Sequence, residues 1–171
     1  NIRSYRPKLK VKKKYIEEAA KLINEAERPF VIFGQGVILG KAEKEFKAFI
    51  EKSGIPSAWT IMGMSAISTD HPLAVGMLGM HGNYGPNLLT NECDVLIAVG
   101  MRFDDRVTGR LDKYAKQAKI IHLDIDPSEI DKNVKTTVPV WGDCKETLPM
   151  LTALVETKVY PQWLQKFHDC M

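Results

Sequence analysis

Two stretches of this chain are apolar at every position: Phe30-Val31-Ile32-Phe33 and Val95-Leu96-Ile97-Ala98-Val99. A strand with one face in water alternates apolar and polar side chains, so a run without alternation has both faces covered. Such strands belong to parallel sheets, whose crossover connections lay helices on the two faces. Each run ends in a glycine, Gly34 or Gly100. This feature restricts the chain to an α/β architecture and directs attention to the carboxyl edge of the sheet, where open parallel sheets bind ligands.

The remaining segments fit that frame. Residues 15–27 place Ile16, Ala19, Ala20, Ile23 and Ala26 on one helical stripe, and Pro29 ends it. Ala42, Phe46, Phe49 and Ile50 follow helical spacing up to Ser53-Gly54, a helix stop. Strands are predicted over 55–60, 73–78, 94–99, 119–124 and 138–141, with a loop around 62–64. Helices are predicted over 83–92, with Pro86 in the first turn, and over 162–168, and a short helix or turn over 110–118. Asp143 is predicted to cap a helix running to Leu154, with Glu146 as capping-box partner. The expected fold is a three-layer α/β domain with a six-stranded, mostly parallel, Rossmann-like sheet. Residues 1–14 read as a linker from a preceding domain, 15–157 as the domain proper, and 158–171 as a C-terminal helix or linker to a following one. The start at Asn1 and the Lys- and Pro-rich lead-in read as a piece cut from a longer polypeptide.

At 171 residues the chain is long enough for one core. Lys8, Lys10, Lys12, Lys13 and Lys14 supply much of the net charge of +3, and the aromatic residues that nucleic-acid binding wants among them reduce to Tyr15. A solvated linker face fits better, and no nucleic-acid partner is expected. No apolar run approaches the roughly 20 residues of a membrane span, and no signal-peptide pattern is present. Cys93, Cys144 and Cys170 show no metal or disulfide spacing, which fits a reducing cytoplasm. Four scattered histidines, at 71, 81, 122 and 168, lack metal spacing, so no metal site is expected in this chain.

Five glycine- or carboxylate-bearing strand ends carry the chemistry. Gly34-Gln35-Gly36 opens the first strand-to-helix turn, but the next glycine, Gly40, falls one residue late for a dinucleotide fingerprint. The acidic residue expected at the end of the second strand is also missing, since that strand closes on Ala58-Trp59-Thr60. An ordinary nicotinamide hydride site is therefore disfavoured. The turn is either a tight turn alone or a close approach to a ligand. Gly76-Met77-Leu78-Gly79-Met80-His81-Gly82 suits a phosphate or a flat ring, and His81 either bonds a ligand or caps the turn. Arg102-Phe103-Asp104-Asp105-Arg106 is the sharpest signal. Guanidinium groups bind phosphate in bidentate fashion, and aspartates orient them or accept ribose hydroxyls; the competing reading is a self-contained ion-pair cluster. Asp124 and Asp143 stand at two further strand tips, where each can accept from a ligand; the competing readings are that Asp126 or Ser128 caps the Glu129-Ile130 turn and that Asp143 is a helix cap alone. No nucleophile–base motif is present, so residue chemistry alone indicates a nucleotide-binding domain without a catalytic centre.

The segments 76–82, 83–94 and 102–109, with Asp124-Ile125-Asp126-Pro127-Ser128-Glu129-Ile130 and Trp141-Gly142-Asp143, resemble the central domain of acetolactate synthases, a family of thiamine-diphosphate enzymes. The likeness spans residues 15–157. It implies a middle domain holding FAD, largely structural, between two domains that bind thiamine diphosphate and Mg2+ and lie outside this chain. It further implies a homodimer or homotetramer, a regulatory small subunit, and decarboxylation of pyruvate with transfer of the two-carbon unit to a second 2-ketoacid. This chain alone is then expected to be inactive. Carried over residue by residue, FAD contacts would come from Gly34, Gly36, Thr60, Ile61 and Met62; from Leu78, Gly79, Met80 and His81; from Gly100, Arg102, Asp104, Arg106 and Val107; and from Asp124, Ile125, Asp143 and Cys144. Asp105 would support the loop. Two positions depart from the family pattern: Gln35 stands where many relatives have glycine, and Arg6 is one position off the linker arginine, so it is not assigned. The likeness leaves three alternatives: the matching domain of glyoxylate carboligase or pyruvate oxidase, a spacer domain without nucleotide, and a sirtuin-like domain, which would want a zinc-binding cysteine module.

Overall fold

The computed structural model describes residues 11–60, 66–77, 89–101, 117–124 and 136–169. In chain order these form α1 (Lys13–Glu25), β1 (Pro29–Phe33), α2 (Gln35–Leu39), α3 (Glu43–Ser53), β2 (Ser57–Trp59), β3 (Ala74–Met77), β4 (Val95–Val99), β5 (Lys119–Asp124), β6 (Val138–Trp141), α4 (Cys144–Leu154) and α5 (Pro161–Asp169). The six strands make one sheet in the order β3-β2-β1-β4-β5-β6, and every neighbouring pair is parallel. This is the strand order of dinucleotide-binding doubly wound folds.

The unalternating runs are buried on both sides, as their composition requires: all five residues of β1 and all five of β4 are buried. One face of the sheet presents Val31, Phe33, Ile97, Val99, Ile121 and Leu123 to a core completed by Ile16 of α1, Phe46 of α3 and Leu148 of α4. The other face presents Phe30, Ile32, Leu96, Ala98 and Ile120 to Trp163 and Phe167 of α5. The split follows the period of two along each strand.

Helix ends are set by local chemistry. α1 begins two residues before the expected Tyr15, because Lys13 and Lys14 join its first turn on the solvated side, and Pro29 begins β1 beyond its end. α3 carries Glu43 and Glu45 in its first turn and Lys52 in its last, each matching the sign of the helix dipole. Gly54, at φ +70, closes it by donating its N–H to the Ile50 carbonyl at 2.8 Å. α4 starts as expected: Asp143 Oδ1 accepts from the Lys145 N–H at 3.0 Å. α5 anchors through Trp163, whose Nε1 donates to the Pro29 carbonyl at 2.6 Å, and Phe167 packs 4.9 Å from Phe30, ring centre to ring centre. α2 is a helix that composition does not announce, five residues long with a glycine inside. The expected helix over 83–92 and the expected helix or turn over 110–118 fall mostly outside the described residues. Among the described residues no helix is long and apolar enough to cross a membrane.

Candidate functional site

In the observed strand order β1 and β4 are neighbours from which the chain winds outward in opposite directions, so the topological switch point lies between their carboxyl ends. The residues that follow them are Gly34 and Gly100. Backbone bonding continues past the last strand residues there. The Gly34 N–H donates to the Val99 carbonyl at 3.0 Å, the Gly36 N–H to the Gly100 carbonyl at 2.7 Å, and the Gly100 N–H to the Leu123 carbonyl at 3.0 Å. Thr60, at the end of β2, joins the same edge by donating to the Phe33 carbonyl at 3.0 Å.

These glycines are explained by contact between the two loops. A Cβ on Gly36 would lie 2.6 Å from the Gly100 Cα, and one on Gly34 would lie 2.6 Å from the Met101 Cβ. Gly100 has φ +60, and its added Cβ would lie 2.7 Å from the Val37 backbone nitrogen. The space that a side chain would take is thus filled by the protein itself. Close backbone approach at this turn is first an approach of loop to loop. Gly40, one residue late for a dinucleotide fingerprint, has its own reason: a Cβ there would meet Asp143 Oδ1 at 2.8 Å. The missing side chain lets the α4 cap settle over the end of α2.

A second cluster stands at the tips of β5 and β6. Asp124 pairs with Trp141 in the register, and its carbonyl accepts from the Gly142 N–H at 3.0 Å. Gly142 has φ +150, and a Cβ on it would lie 2.8 Å from the Val11 side chain. Asp124 is 9% exposed, so its carboxylate sits at the border between core and solvent. Cys144 lies close enough to both aspartates to feel their charge. Burial, then Asp124, then Asp143 push its thiol up to about 12, which leaves it a neutral thiol rather than a nucleophile. Trp141 meets Tyr15 edge-on at 6.5 Å, and Lys12 Nζ stands 5.9 Å from each ring centre. Such contacts contribute about 0.5–1 kcal/mol when exposed.

The two clusters are joined by His122. It is fully buried on β5, its Nε2 lies 2.9 Å from the Met101 carbonyl, and the same nitrogen lies 3.6 Å from Asp124 Oδ2. The structure therefore brings Gly34, Gly36 and Gly100 into direct contact and gathers Asp124, Asp143 and Cys144 beside them, with Thr60 across β1. Of the other predicted contacts, Ile61, Met62, Leu78, Gly79, Met80, His81, Arg102, Asp104, Arg106, Val107 and Ile125 lie outside the described residues. Gly40, Met101 and His122 belong to this edge and were not legible as such. A histidine within a strand otherwise buried on both faces was the available signal, since a buried imidazole must find a hydrogen-bond partner. Among the described residues no group of three or more His, Cys, Asp or Glu side chains is placed to hold a metal ion.

The described set consists of two carboxylates, a neutral thiol and interlocked glycine backbone. It fits hydroxyl-bearing ligand groups, which carboxylates accept from.

Residues 16–151 match the family model described as thiamine pyrophosphate enzyme, central domain. Over 168 residues the chain is 47% identical to a probable acetolactate synthase large subunit of Methanocaldococcus jannaschii, covering 96% of this chain and 28% of that protein. It is 50% identical over 130 residues to the counterpart from Methanococcus aeolicus, covering 76% of this chain and 22% of that protein. It is 43% identical over 165 residues to the acetolactate synthase large subunit of Corynebacterium glutamicum, covering 94% and 26%. The chain thus spans about a quarter of the length of these relatives.

Proposed function

From the premise that this chain belongs to the family of thiamine pyrophosphate enzyme central domains, we propose that it is the FAD-holding middle domain of an acetolactate synthase large subunit. The observation that carries this reading is the 43–47% identity to proteins of that name over nearly the whole chain. The switch-point edge supports it from the side of chemistry. In this reading Gly34, Gly36 and Gly100 set the backbone floor, Arg102 and Arg106 hold the diphosphate, and Asp104 orients them. Asp124, Ile125, Asp143 and Cys144 face the adenosine end. Thr60, Ile61 and Met62, with Leu78, Gly79, Met80, His81 and Val107, line the flavin and ribityl side. Bound FAD would act as a structural element, without net redox in the synthase reaction.

The complete polypeptide would decarboxylate pyruvate and join the two-carbon unit to a second 2-ketoacid. The carbanion-stabilising chemistry of that step would be supplied by thiamine diphosphate with Mg2+ in domains outside this chain. Residues 1–14 and 158–171 would link to those domains. The assembly would be a homo-oligomer with a regulatory small subunit, in the cytoplasm, where the buried free thiols Cys93 and Cys144 stay reduced. The test is product and cofactor analysis of the complete polypeptide. Acetolactate from pyruvate, with FAD released on denaturation, agrees with the proposal. Acetyl phosphate or tartronate semialdehyde as product, or ADP in place of FAD, overturns it in favour of a related enzyme.

A further inference from the structure

We propose that His122 is a positioning residue for the loop that begins at Arg102: by donating from Nε2 to the Met101 carbonyl it fixes the peptide unit from which that loop departs and ties it to the Asp124 cluster. The inference rests on the FAD reading for its ligand, and its geometry stands apart from that reading. The Met101 carbonyl is acceptor only, and the second neighbour of Nε2, Asp124 Oδ2 at 3.6 Å, is an acceptor too. Nε2 must therefore carry the proton, and the 2.9 Å contact is a donation from the imidazole.

The surroundings hold the ring in place. His122 pairs in register with Ala98 on β4 and Pro139 on β6, and the small Ala98 leaves room beside it. His122 and Asp124 are two apart on β5, so they share a face of the sheet. On that face Met101 is buried with Ala98 and Ile120. The backbone from Val99 to Met101 is then pinned at four points. Val99 accepts from Gly34, Gly100 accepts from Gly36 and donates to Leu123, and Met101 accepts from His122. Only the last of these is made by a side chain, so only it can be removed by substitution without altering the backbone ladder. The Met101 carbonyl belongs to the planar peptide unit whose nitrogen is that of Arg102. Orienting this oxygen fixes the plane that also holds the Arg102 nitrogen, where the first arginine of the proposed site begins.

The test compares the purified chain with His122→Leu and His122→Gln, reading the Arg102 backbone amide by NMR and FAD affinity by quenching of flavin fluorescence. Leu fills similar space with no donor. Gln carries a donor nitrogen at nearly the reach of the imidazole Nε2. In the original chain the Nε2–H should exchange slowly with water. His122→Leu should shift the Arg102 amide and weaken FAD binding about tenfold, the effect of a buried carbonyl left without its donor. His122→Gln should return the amide toward its original position and bind FAD within about threefold of the original. An unmoved Arg102 amide in the Leu variant, or Leu and Gln variants impaired alike, would overturn the proposal. If the unsubstituted chain does not bind FAD, the affinity comparison is made in the complete polypeptide and the Arg102 amide alone decides about His122 in this chain. If the Leu variant does not fold, a fast-exchanging Nε2–H in the unsubstituted chain, or a Gln variant with a displaced Arg102 amide, overturns it.

Discussion

Replacing Gly100 with alanine tests the interlock at the switch point. Three costs add. Gly100 sits at φ +60, where a side chain costs roughly 1–2 kcal/mol. Its new Cβ would stand 2.7–2.9 Å from the backbone of Gly36 and Val37, atoms that no rotamer change can move aside. Overpacking of that kind costs about 1–3 kcal/mol. Spreading the loops to relieve it lengthens the 2.7 Å bond from the Gly36 N–H to the Gly100 carbonyl, a net loss of about 1 kcal/mol. The sum is roughly 3–6 kcal/mol, a large part of the 5–15 kcal/mol that holds an ordinary domain together. For a chain of this size that corresponds to a melting temperature lower by roughly 6–24 °C. Urea and thermal unfolding of Gly100→Ala, Gly36→Ala and the double variant measure it. Both added methyls contend for one gap, so the double variant should cost at least about 1 kcal/mol less than the sum of the singles. A cost below about 1 kcal/mol for Gly100→Ala, or strict additivity, would show that the two loops do not fill each other's side-chain space.

Three further outcomes follow from single contacts. Burial, with Asp94 and Asp124 respectively as the next contribution, pushes the Cys93 and Cys144 thiols up to about 12 from 9.0. A raised value means that the folded state keeps its proton while the unfolded chain loses it, so this stability is complete below pH 9 and falls as pH rises toward 12. Each thiol should contribute a loss of about 1.4 kcal/mol between pH 8 and 10, so the stability of Cys144→Ala should fall that much less over the same range, and parallel curves would refute this. Trp163→Phe should cost about 1–3 kcal/mol by leaving the buried Pro29 carbonyl without its donor, and Trp163→Ala about 3–5 kcal/mol, measured by urea unfolding. Asp143→Ala should cost about 1 kcal/mol as a lost helix cap, and it should make Gly40→Ala less harmful by emptying the space that Cβ would enter.

The sheet was legible because its strands lack alternation. Pro29–Phe33, Val95–Val99, Lys119–Asp124 and Val138–Trp141 form within a residue of where apolar runs place them. The Asp143 cap was legible because capping is local chemistry. α2 was not, since five residues with Gly36 among them show no helical period. Gly40 could not be understood from its spacing to Gly36, because its reason is a carboxylate about a hundred residues away that arrives only when α4 packs. His122 read as one of four scattered histidines. Its partner, the Met101 carbonyl, comes within reach only because β4 and β5 are neighbours in the sheet. The glycine turn read equally as a tight turn or a ligand approach, and the described structure adds a third party, the loop after β4.

The most direct measurement is a titration of the purified chain with FAD, followed by quenching of flavin fluorescence, with ADP and NAD as competitors and Arg102→Ala as control. Saturable binding of FAD in preference to ADP and NAD, lost with Arg102→Ala, is the result expected of a dinucleotide edge at this switch point. Binding of ADP or NAD as tight as FAD, or FAD binding untouched by Arg102→Ala, would contradict it.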